Sequence, residues 1–335
     1  MVTLYNLVLF ISTFVFAFIG TGGAYWVLRH YGVMNVPVER SNHTVPVPRG
    51  GGLGIVLALV CFLLVSAAPG PVITSVLVLA GISFWDDLKG MHPKWRFGAQ
   101  VLAVLWVMTR VYDGGRILPD MVPYALEWGL LSLAFLWFIN LFNFMDGSDG
   151  LAVSQSATIG LGCVVLSISL TLPGDVWLIG IVTVGASLGF ALWNWHPAKI
   201  FMGDVGSIPL GFLLGYALVE IAGAGYWQAA LILPAYFVAD ATLTLLTRLS
   251  RRENILQAHS KHAYQRAIRL GHTHDAVARQ VLALNIVFIV LAVASTINSL
   301  WGWGALLLAY SLALLQMLSF MRRKTEILPP EGSAA

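Results

Sequence analysis

A short stretch past the middle of the chain, residues 194–207, combines residue types that could do chemistry. It reads NWHPAKIFMGDVGS and separates two long apolar runs. Pro197 cannot continue a helix, and Gly203 allows a tight backbone path beside Asp204. Ser207 can cap the helix that follows. Such a loop directs backbone N–H groups and one carboxylate toward the same point. That arrangement suits a metal-bound phosphate, although an ordinary turn between two helices is the alternative.

A pair of adjacent acids, Asp86 and Asp87, ends an earlier apolar run in the sequence FWDDLKG. Two neighbouring carboxylates repel each other unless a cation or a proton lies between them. Neighbouring helix positions point about 100° apart, so the two acids should have different roles. We expect one to hold Mg²⁺ or accept a proton while the other faces Lys89 or a helix end. The alternative is that both simply end a helix in water.

A third polar stretch, residues 140–151, reads NLFNFMDGSDGL. Asn143, Asp146 and Asp149 are three positions apart and would share one face of a helix. Two glycines in the same stretch favour a loop wrapped around a ligand instead. Either arrangement gathers one amide and two carboxylates, whose oxygen atoms suit Mg²⁺ or sugar hydroxyl groups.

Arg49 follows two prolines and precedes three glycines in the sequence VPVPRGGG. An arginine beside exposed backbone N–H groups would suit a phosphate. The alternative is a basic anchor at a flexible entry to the next apolar run. Asp240 lies about two turns inside another apolar run, where a carboxylate is either functional or a hydrogen-bond partner between helices.

The most basic connection, about 249–276, contains the histidine segment, residues 259–266, which reads HSKHAYQR. His259 and His262 are three positions apart and could face one ligand. Zinc is an alternative, but no cysteine accompanies these histidines, and the acids elsewhere indicate a hard cation. His272 and His274 carry no spacing argument and are interpreted as surface residues.

The elements that must position these residues are membrane helices. Hydrophobic residues make up 58% of the 335 positions and charged residues only 10%, with a mean hydropathy of +0.80. A soluble domain carries roughly 25% charged residues. The runs are long and lack period-2 alternation, which excludes strands. We therefore predict an all-α integral membrane protein with a polytopic catalytic domain over 1–324 and a short disordered tail over 325–335. The eleven predicted spans are 4–28, 50–68, 71–86, 95–111, 125–143, 151–172, 175–195, 206–223, 226–248, 277–297 and 300–320.

The basic residues separate by side when the loops are numbered alternately. All but Arg110 and Arg116 of the 19 Lys and Arg residues fall on one side. The positive-inside rule makes that side cytoplasmic, with the N-terminus outside and the C-terminus inside. Every polar motif above lies on this side, which predicts a site at the cytoplasmic membrane surface. The net charge of +3 is too small to indicate a nucleic-acid partner.

At these residues the sequence resembles the polyprenyl-phosphate N-acetylhexosamine-1-phosphate transferase family. The resemblance covers nearly the whole chain and implies a multi-pass enzyme of the bacterial cytoplasmic (inner) membrane. Such an enzyme moves a sugar phosphate from a UDP-sugar to undecaprenyl phosphate and releases UMP. The matching motifs are PRGG at 48–51, DD at 86–87, NFMDGSDG at 143–150, Asn194 with PAK at 197–199, FMGDVGS at 201–207 and the histidine segment.

The resemblance also implies roles for individual residues. Asp204 would be the Mg²⁺ ligand, Asp87 a further metal ligand, and Mn²⁺ the alternative ion. Asp86 and Asp87 would be the acidic pair, one of them the base toward the lipid phosphate. The residues that would place the metal or the uridine diphosphate are Asn143, Asp146, Asp149 and Asn194. Those that would contact the anionic substrates or the sugar are Arg49, Lys199, His259 and His262, of which we favour His262 as the family's catalytic histidine.

One departure bears on the donor. The peptidoglycan branch of the family has consecutive histidines in its last cytoplasmic loop, whereas the histidine segment here resembles the O-antigen-initiating branch. The donor expected is UDP-N-acetylglucosamine, UDP-N-acetylfucosamine or a relative, and a peptidoglycan lipid I synthase is the nearest alternative. A transporter is the alternative of another class, but the chain shows no internal repeat. Membrane lipid is an expected partner, and a homodimer is the alternative to a monomer.

Overall fold

The computed structural model of the chain describes residues 4–37, 45–66, 68–110, 116–117, 122–254, 257 and 259–322. The tail expected over 325–335 lies outside these residues. The helices in chain order are α1 Leu4–His30, α2 Gly52–Val65, α3 Gly70–Lys89, α4 Pro93–Arg110, α5 Tyr124–Phe144, α6 Leu151–Ser169, α7 Gly174–Asn194, α8 Asp204–Ile221, α9 Trp227–Ile232, α10 Ala235–Ser250, α11 Ala263–Arg269, α12 His274–Ala294 and α13 Ser299–Phe320.

The predicted class, an all-α integral membrane protein, is confirmed. Eight helical stretches in the described part of the chain are long and apolar enough to cross a membrane. Large apolar side chains such as Leu102, Leu300 and Leu307 are exposed on the outer surface of the helices, as expected for contact with lipid. The chain is therefore a multi-pass membrane protein.

The count of eleven spans and the orientation of the termini remain predictions, although every predicted run lies on helix. Helix α2 has only 14 residues, and α4 carries three basic residues, Lys94, Arg96 and Arg110. The runs 206–223 and 226–248 meet at a π-helical turn, Ala222–Tyr226, where Gly225 has a non-helical backbone (φ 96°). The chain then forms α9 and α10, which Pro234 separates, and α9 and α10 line one cavity with α8.

Helix α8 is the centre of the molecule. Every residue from Asp204 to Ile221 is buried, and the helix packs mainly against α3 and α5, with α2 also in contact. A helix that is apolar on all sides and fully enclosed needs its N-terminal N–H groups satisfied by neighbouring elements. The position of this N-terminus therefore decides where polar residues from other helices must gather.

Two short strands lie at the same end of the bundle. Strand β1, Met34–Asn35, pairs antiparallel with β2, Val47–Pro48. The connection to α2 continues from β2 and runs beside the loop that precedes α8, where Arg49 and Phe201 form a parallel bridge. This pairing brings the connection that carries Arg49 beside the loop that carries Asp204.

Candidate active site

The glycines after Arg49 dock that residue against the loop before α8. Gly50 and Gly51 donate their N–H groups to the Phe201 carbonyl oxygen (3.1 and 2.9 Å), and Gly52 donates to the Met202 carbonyl oxygen (2.9 Å). The interpretation of these N–H groups as exposed phosphate ligands is therefore wrong, because the backbone of the neighbouring loop already accepts them. Their role is to fix Arg49 beside Asp204.

Asp87 caps the N-terminus of α8 from the end of α3. Its carboxylate accepts hydrogen bonds from the backbone N–H groups of Asp204 (3.3 Å) and Val205 (3.0 Å), and its side chain is 2% exposed. A helix N-terminus stabilises a nearby anion because its N–H groups are unpaired and its dipole is positive there. The expected cap, Ser207, instead lies inside α8 and donates to the Gly203 carbonyl oxygen.

Two arginines and three carboxylates form one network at this point, the Asp204 cluster. Arg49 Nη2 lies 2.8 Å from Asp204 Oδ1 and 3.0 Å from Asp87 Oδ1. Arg96 Nη1 lies 2.7 Å from Asp86 Oδ2 and also donates to Asp204. In the sequence, Arg96 was grouped only with the basic residues of the predicted cytoplasmic side. The sequence feature that could have indicated its place in the site is its position ten residues after Asp86, on the first turn of α4.

Asn143 joins the Asp204 cluster from the last turn of α5. Its Nδ2 donates to Asp204 Oδ1 (3.2 Å) and to Ser207 Oγ (2.8 Å). Helix α5 ends at Phe144, so the two acids that follow Asn143 lie on a loop, and the alternative of a shared helical face is excluded.

Asp146 is half-buried on that loop. Burial away from water raises its pKa well above the ordinary value, and the charge of Asp204 raises the pKa further, while Arg49 opposes both effects. Among the carboxylates near Asp204, that of Asp146 accepts no hydrogen bond from the described residues. Within the described part of the chain, its oxygens are therefore open to a ligand.

Asp149 and Asn194 make other contacts. Asp149 points away from the Asp204 cluster and lies 2.7 Å from His196 Nδ1. The Asn194 amide accepts from Gly150 N (3.1 Å) and donates to the Ile200 carbonyl oxygen (3.0 Å). Asn194 therefore joins two loops. Both ends of its amide make hydrogen bonds within the protein, whereas the sequence predicts a contact with substrate.

Lys199 also lies apart from the carboxylates. Its exposed ammonium group is 5.5 Å from the centroid of the Trp193 ring, an attractive cation–π contact. A long flexible side chain in this position can still turn toward an anion. Its predicted role in substrate binding stays a prediction.

The histidine segment is held by Asp240. This carboxylate is fully buried in α10 and accepts hydrogen bonds from Ala263 N (2.9 Å), Tyr236 Oη (3.2 Å) and Thr244 Oγ1 (3.2 Å). His262 Nδ1 lies 3.3 Å from the same carboxylate. Of the two interpretations of Asp240, the structure supports a hydrogen-bond partner, here one that fixes His262 and the start of α11.

The histidine segment packs against the loop that carries Asp146. Tyr264 Oη donates to the Phe144 carbonyl oxygen (3.1 Å), and the ring centroids of His259 and His262 are 5.0 Å apart. Burial, together with the nearby His262, lowers the pKa of His259 to about 4. His259 is therefore neutral at pH 7 and can accept a hydrogen bond.

Comparison with known proteins identifies the family. Residues 70–222, which include α3 to α8 and most of the Asp204 cluster, match the model described as glycosyl transferase family 4. The chain is 29% identical over 306 residues (78% of the chain and 74% of the relative) to the decaprenyl-phosphate N-acetylglucosaminephosphotransferase of Mycolicibacterium smegmatis. The chain is thus similar to proteins of the polyprenyl-phosphate N-acetylhexosamine-1-phosphate transferase family.

Two further relatives of this transferase family are similar to the chain. A probable undecaprenyl-phosphate N-acetylglucosaminyl 1-phosphate transferase of Bacillus subtilis is 26% identical over 291 residues (81% of the chain and 79% of the relative). A phospho-N-acetylmuramoyl-pentapeptide-transferase of Streptococcus suis is 32% identical over 219 residues (58% and 64%). The resemblance found in the motifs is thereby confirmed, and the comparisons support a membrane-bound transferase.

Proposed function

We propose that the protein transfers an N-acetylhexosamine-1-phosphate from a UDP-sugar to undecaprenyl phosphate at the cytoplasmic face of the inner membrane. The observation that carries this proposal is the position of the Asp204 cluster beyond the end of an apolar groove that follows α5. The comparisons support it, because relatives of the family are named for the same reaction on decaprenyl or undecaprenyl phosphate.

The groove is an apolar cavity of about 350 Å³ between α5, α8, α9 and α10. It follows α5 from Glu127 to Leu141, and apart from Glu127 its lining residues are apolar. The fourteen helical steps from Glu127 to Leu141 span about 21 Å, so the groove is long and narrow. It ends two residues before Asn143, which belongs to the Asp204 cluster. We propose that the polyprenyl chain lies in this groove and that its phosphate extends beyond the Leu141 end toward Arg49 and Arg96.

The arginines and the acids of the Asp204 cluster then have different roles toward the two anionic substrates. Arg49 and Arg96 supply the positive charge that lets two phosphate groups approach each other. An oxygen of the lipid phosphate attacks the phosphorus that carries the sugar, the bond between the two donor phosphates breaks, and UMP leaves. The lipid phosphate is already ionised at pH 7, so the acids serve mainly to position the arginines.

The donor set around Asp146 fits Mg²⁺. The Asp146 carboxylate accepts no hydrogen bond from the described residues, and Asp204 and Asn143 offer further oxygen atoms nearby. Magnesium bound there would supply additional positive charge for both phosphate groups. Asp87 fits this role less well, because its oxygens already accept the N–H groups at the start of α8. The same bonds favour direct attack by the lipid phosphate over an intermediate on Asp87.

The histidine segment favours O-antigen or related surface polysaccharide synthesis over peptidoglycan synthesis, because its sequence HSKHAYQR lacks consecutive histidines. The similarity to the Streptococcus suis enzyme keeps the peptidoglycan donor as the second candidate. A panel of UDP-sugars that contains both kinds of donor separates these two candidates.

The test is UMP release by purified protein with undecaprenyl phosphate, Mg²⁺ and a panel of UDP-N-acetylhexosamines that includes the muramyl-pentapeptide nucleotide. We expect UMP only when lipid phosphate and Mg²⁺ are both present, with an N-acetylglucosamine or N-acetylfucosamine donor preferred. Asp204→Asn should reduce turnover at least about 100-fold. Its fold should persist, because Arg49 and Arg96 each keep a second carboxylate. UMP formation without lipid phosphate, or near-normal activity of Asp204→Asn, would contradict the proposal.

A further inference from the structure

A second polar cluster lies beside the Asp204 cluster and is built from different chemistry. It consists of Asp149, from the loop after α5, His196, from the loop after α7, and His274, the first residue of α12. One potential ligand atom from each residue lies within 4.8 Å of the others. We call these three residues the Asp–His–His cluster. The interpretation of His274 as a surface residue is wrong, because α12 begins against this loop and leaves the side chain 12% exposed.

The two imidazole rings face the two oxygens of one carboxylate. His196 Nδ1 lies 2.7 Å from Asp149 Oδ2, and His274 Nδ1 lies 3.6 Å from Asp149 Oδ1. The rings are nearly parallel, with an interplanar angle of 6° and centroids 5.3 Å apart. Both Nδ1 atoms and the carboxylate therefore converge on the same small volume.

The hydrogen bonds of His274 show that its Nδ1 carries a lone pair. The backbone N–H of Asp149 approaches this atom at 3.3 Å, and the Ser148 hydroxyl lies 3.0 Å from it. A backbone N–H can only donate, so Nδ1 must accept and holds no proton in this arrangement. A lone pair and a carboxylate oxygen then face each other at 3.6 Å, which is unfavourable unless a cation lies between them.

We propose that the Asp–His–His cluster is a transition-metal site of the zinc type. Two imidazole nitrogens and one carboxylate oxygen are a ligand set that prefers Zn²⁺ and similar ions over Mg²⁺. Tetrahedral coordination at about 2.0–2.1 Å places ligand atoms about 3.3 Å apart, so small side-chain rotations would close the cluster around the ion. Water or the Ser148 hydroxyl completes the coordination, and binding at His196 Nδ1 releases its proton to solvent.

Such an ion would link three connections of the chain that meet at this end of the bundle. It would hold the loop of Asp146 to the loop before α8 and to the start of α12. The site differs from the Asp204 cluster, which contains carboxylates, an amide and guanidinium groups but no imidazole. The proposal does not depend on which sugar nucleotide the enzyme uses.

The experiment measures Co²⁺ and Zn²⁺ binding to the purified full chain in detergent with Mg²⁺ in excess. We expect one Co²⁺ per chain with the visible absorption of a tetrahedral site, displaced by Zn²⁺. The Zn²⁺ affinity follows from competition with a coloured chelator. His196→Ala and His274→Ala should each weaken Zn²⁺ binding at least about tenfold, because each removes a ligand. His272→Ala is the matched control from the same connection and should bind as the parent does.

Thermal unfolding separates loss of the site from loss of the fold. Without metal, His274→Ala and the milder His274→Gln should unfold close to the parent temperature, while Zn²⁺ should raise the midpoint of the parent and of His272→Ala only. The proposal is overturned if the parent binds no Co²⁺ or Zn²⁺. It is also overturned if His259→Ala removes the binding and His274→Ala does not, since the histidine segment would then hold the ion.

Discussion

At the scale of single residues, charge balance explains why Arg96 belongs to the site. Asp86, Asp87 and Asp204 carry three negative charges against the two guanidinium groups of Arg49 and Arg96. The group therefore has an excess of negative charge that a divalent cation would offset. Arg96 bridges Asp86 and Asp204, so it holds the two acidic motifs of the family in one arrangement.

Replacing Arg96 tests this assignment. Arg96→Gln should lower kcat/KM at least about tenfold, because the bridge between Asp86 and Asp204 is lost and the two carboxylates repel each other. UMP release measures the effect. Lys94→Gln is the matched control, since Lys94 lies on the same turn of α4 but is exposed, with its ammonium group 5.4 Å from the Trp95 ring centroid. Equal effects of the two variants would mean that Arg96 acts only through the general charge of this surface.

At the scale of elements, the approach of α2 to α8 fixes the position of Arg49. A Cβ atom on Gly52 would lie 2.3 Å from the Gly206 Cα atom and 2.8 Å from the Met202 carbonyl oxygen. Only glycine fits there, because the two helix starts are in backbone contact. The three-glycine motif therefore serves close packing, and the packing in turn delivers Arg49 to Asp204.

Gly52→Ala should separate the two helix starts. We expect a loss of stability of about 1–3 kcal/mol from overpacking, together with a fall in kcat because Arg49 moves away from Asp204. Thermal unfolding and UMP release measure the two effects. Gly81→Ala in α3 is the control, since no atom lies within 4 Å of its added Cβ, and it should change neither quantity appreciably. A Gly52→Ala variant with parent stability and activity would refute this packing argument.

At the scale of the whole molecule, the five polar connections meet at one end of the helical bundle. Contacts join them in sequence, from Arg49 to Asp204, from Asn143 to Ser207 and from Tyr264 to Phe144. The basic residues accumulate on the same connections, so the positive-inside rule predicts that this end lies in the cytoplasm.

Cysteine labelling tests the orientation. In a background with Cys61→Ala and Cys163→Ala, Ser260→Cys on the histidine segment should react with a membrane-impermeant reagent only after the cells are opened. Gly174→Cys at the other end of the bundle, where the added side chain meets no atom within 4 Å, should react in intact cells. The reverse pattern would invert the topology and place the site outside.

The sequence by itself determined the membrane class, the helical nature of every predicted run and the family. These are local properties, because the length and hydropathy of a run decide whether it can satisfy its backbone in lipid. The motifs around Asp86, Asn143 and Asp204 were recognisable because glycine and proline mark loops and carboxylates are rare beside apolar runs. The kinked passage from α8 to α9 was not recognised as continuous helix, since Gly225 resembles an ordinary break.

Only the tertiary structure decided which side chains meet. Asn143 and Asp149 come from one motif, yet one contacts Asp204 and the other contacts His196. Arg96 and His274 carried no motif of their own, and each acquires a partner from a segment distant in sequence. The physical reason is that a side chain's direction depends on where its helix begins, ends and packs. Those features follow from contacts between distant segments, which spacing along the chain does not contain.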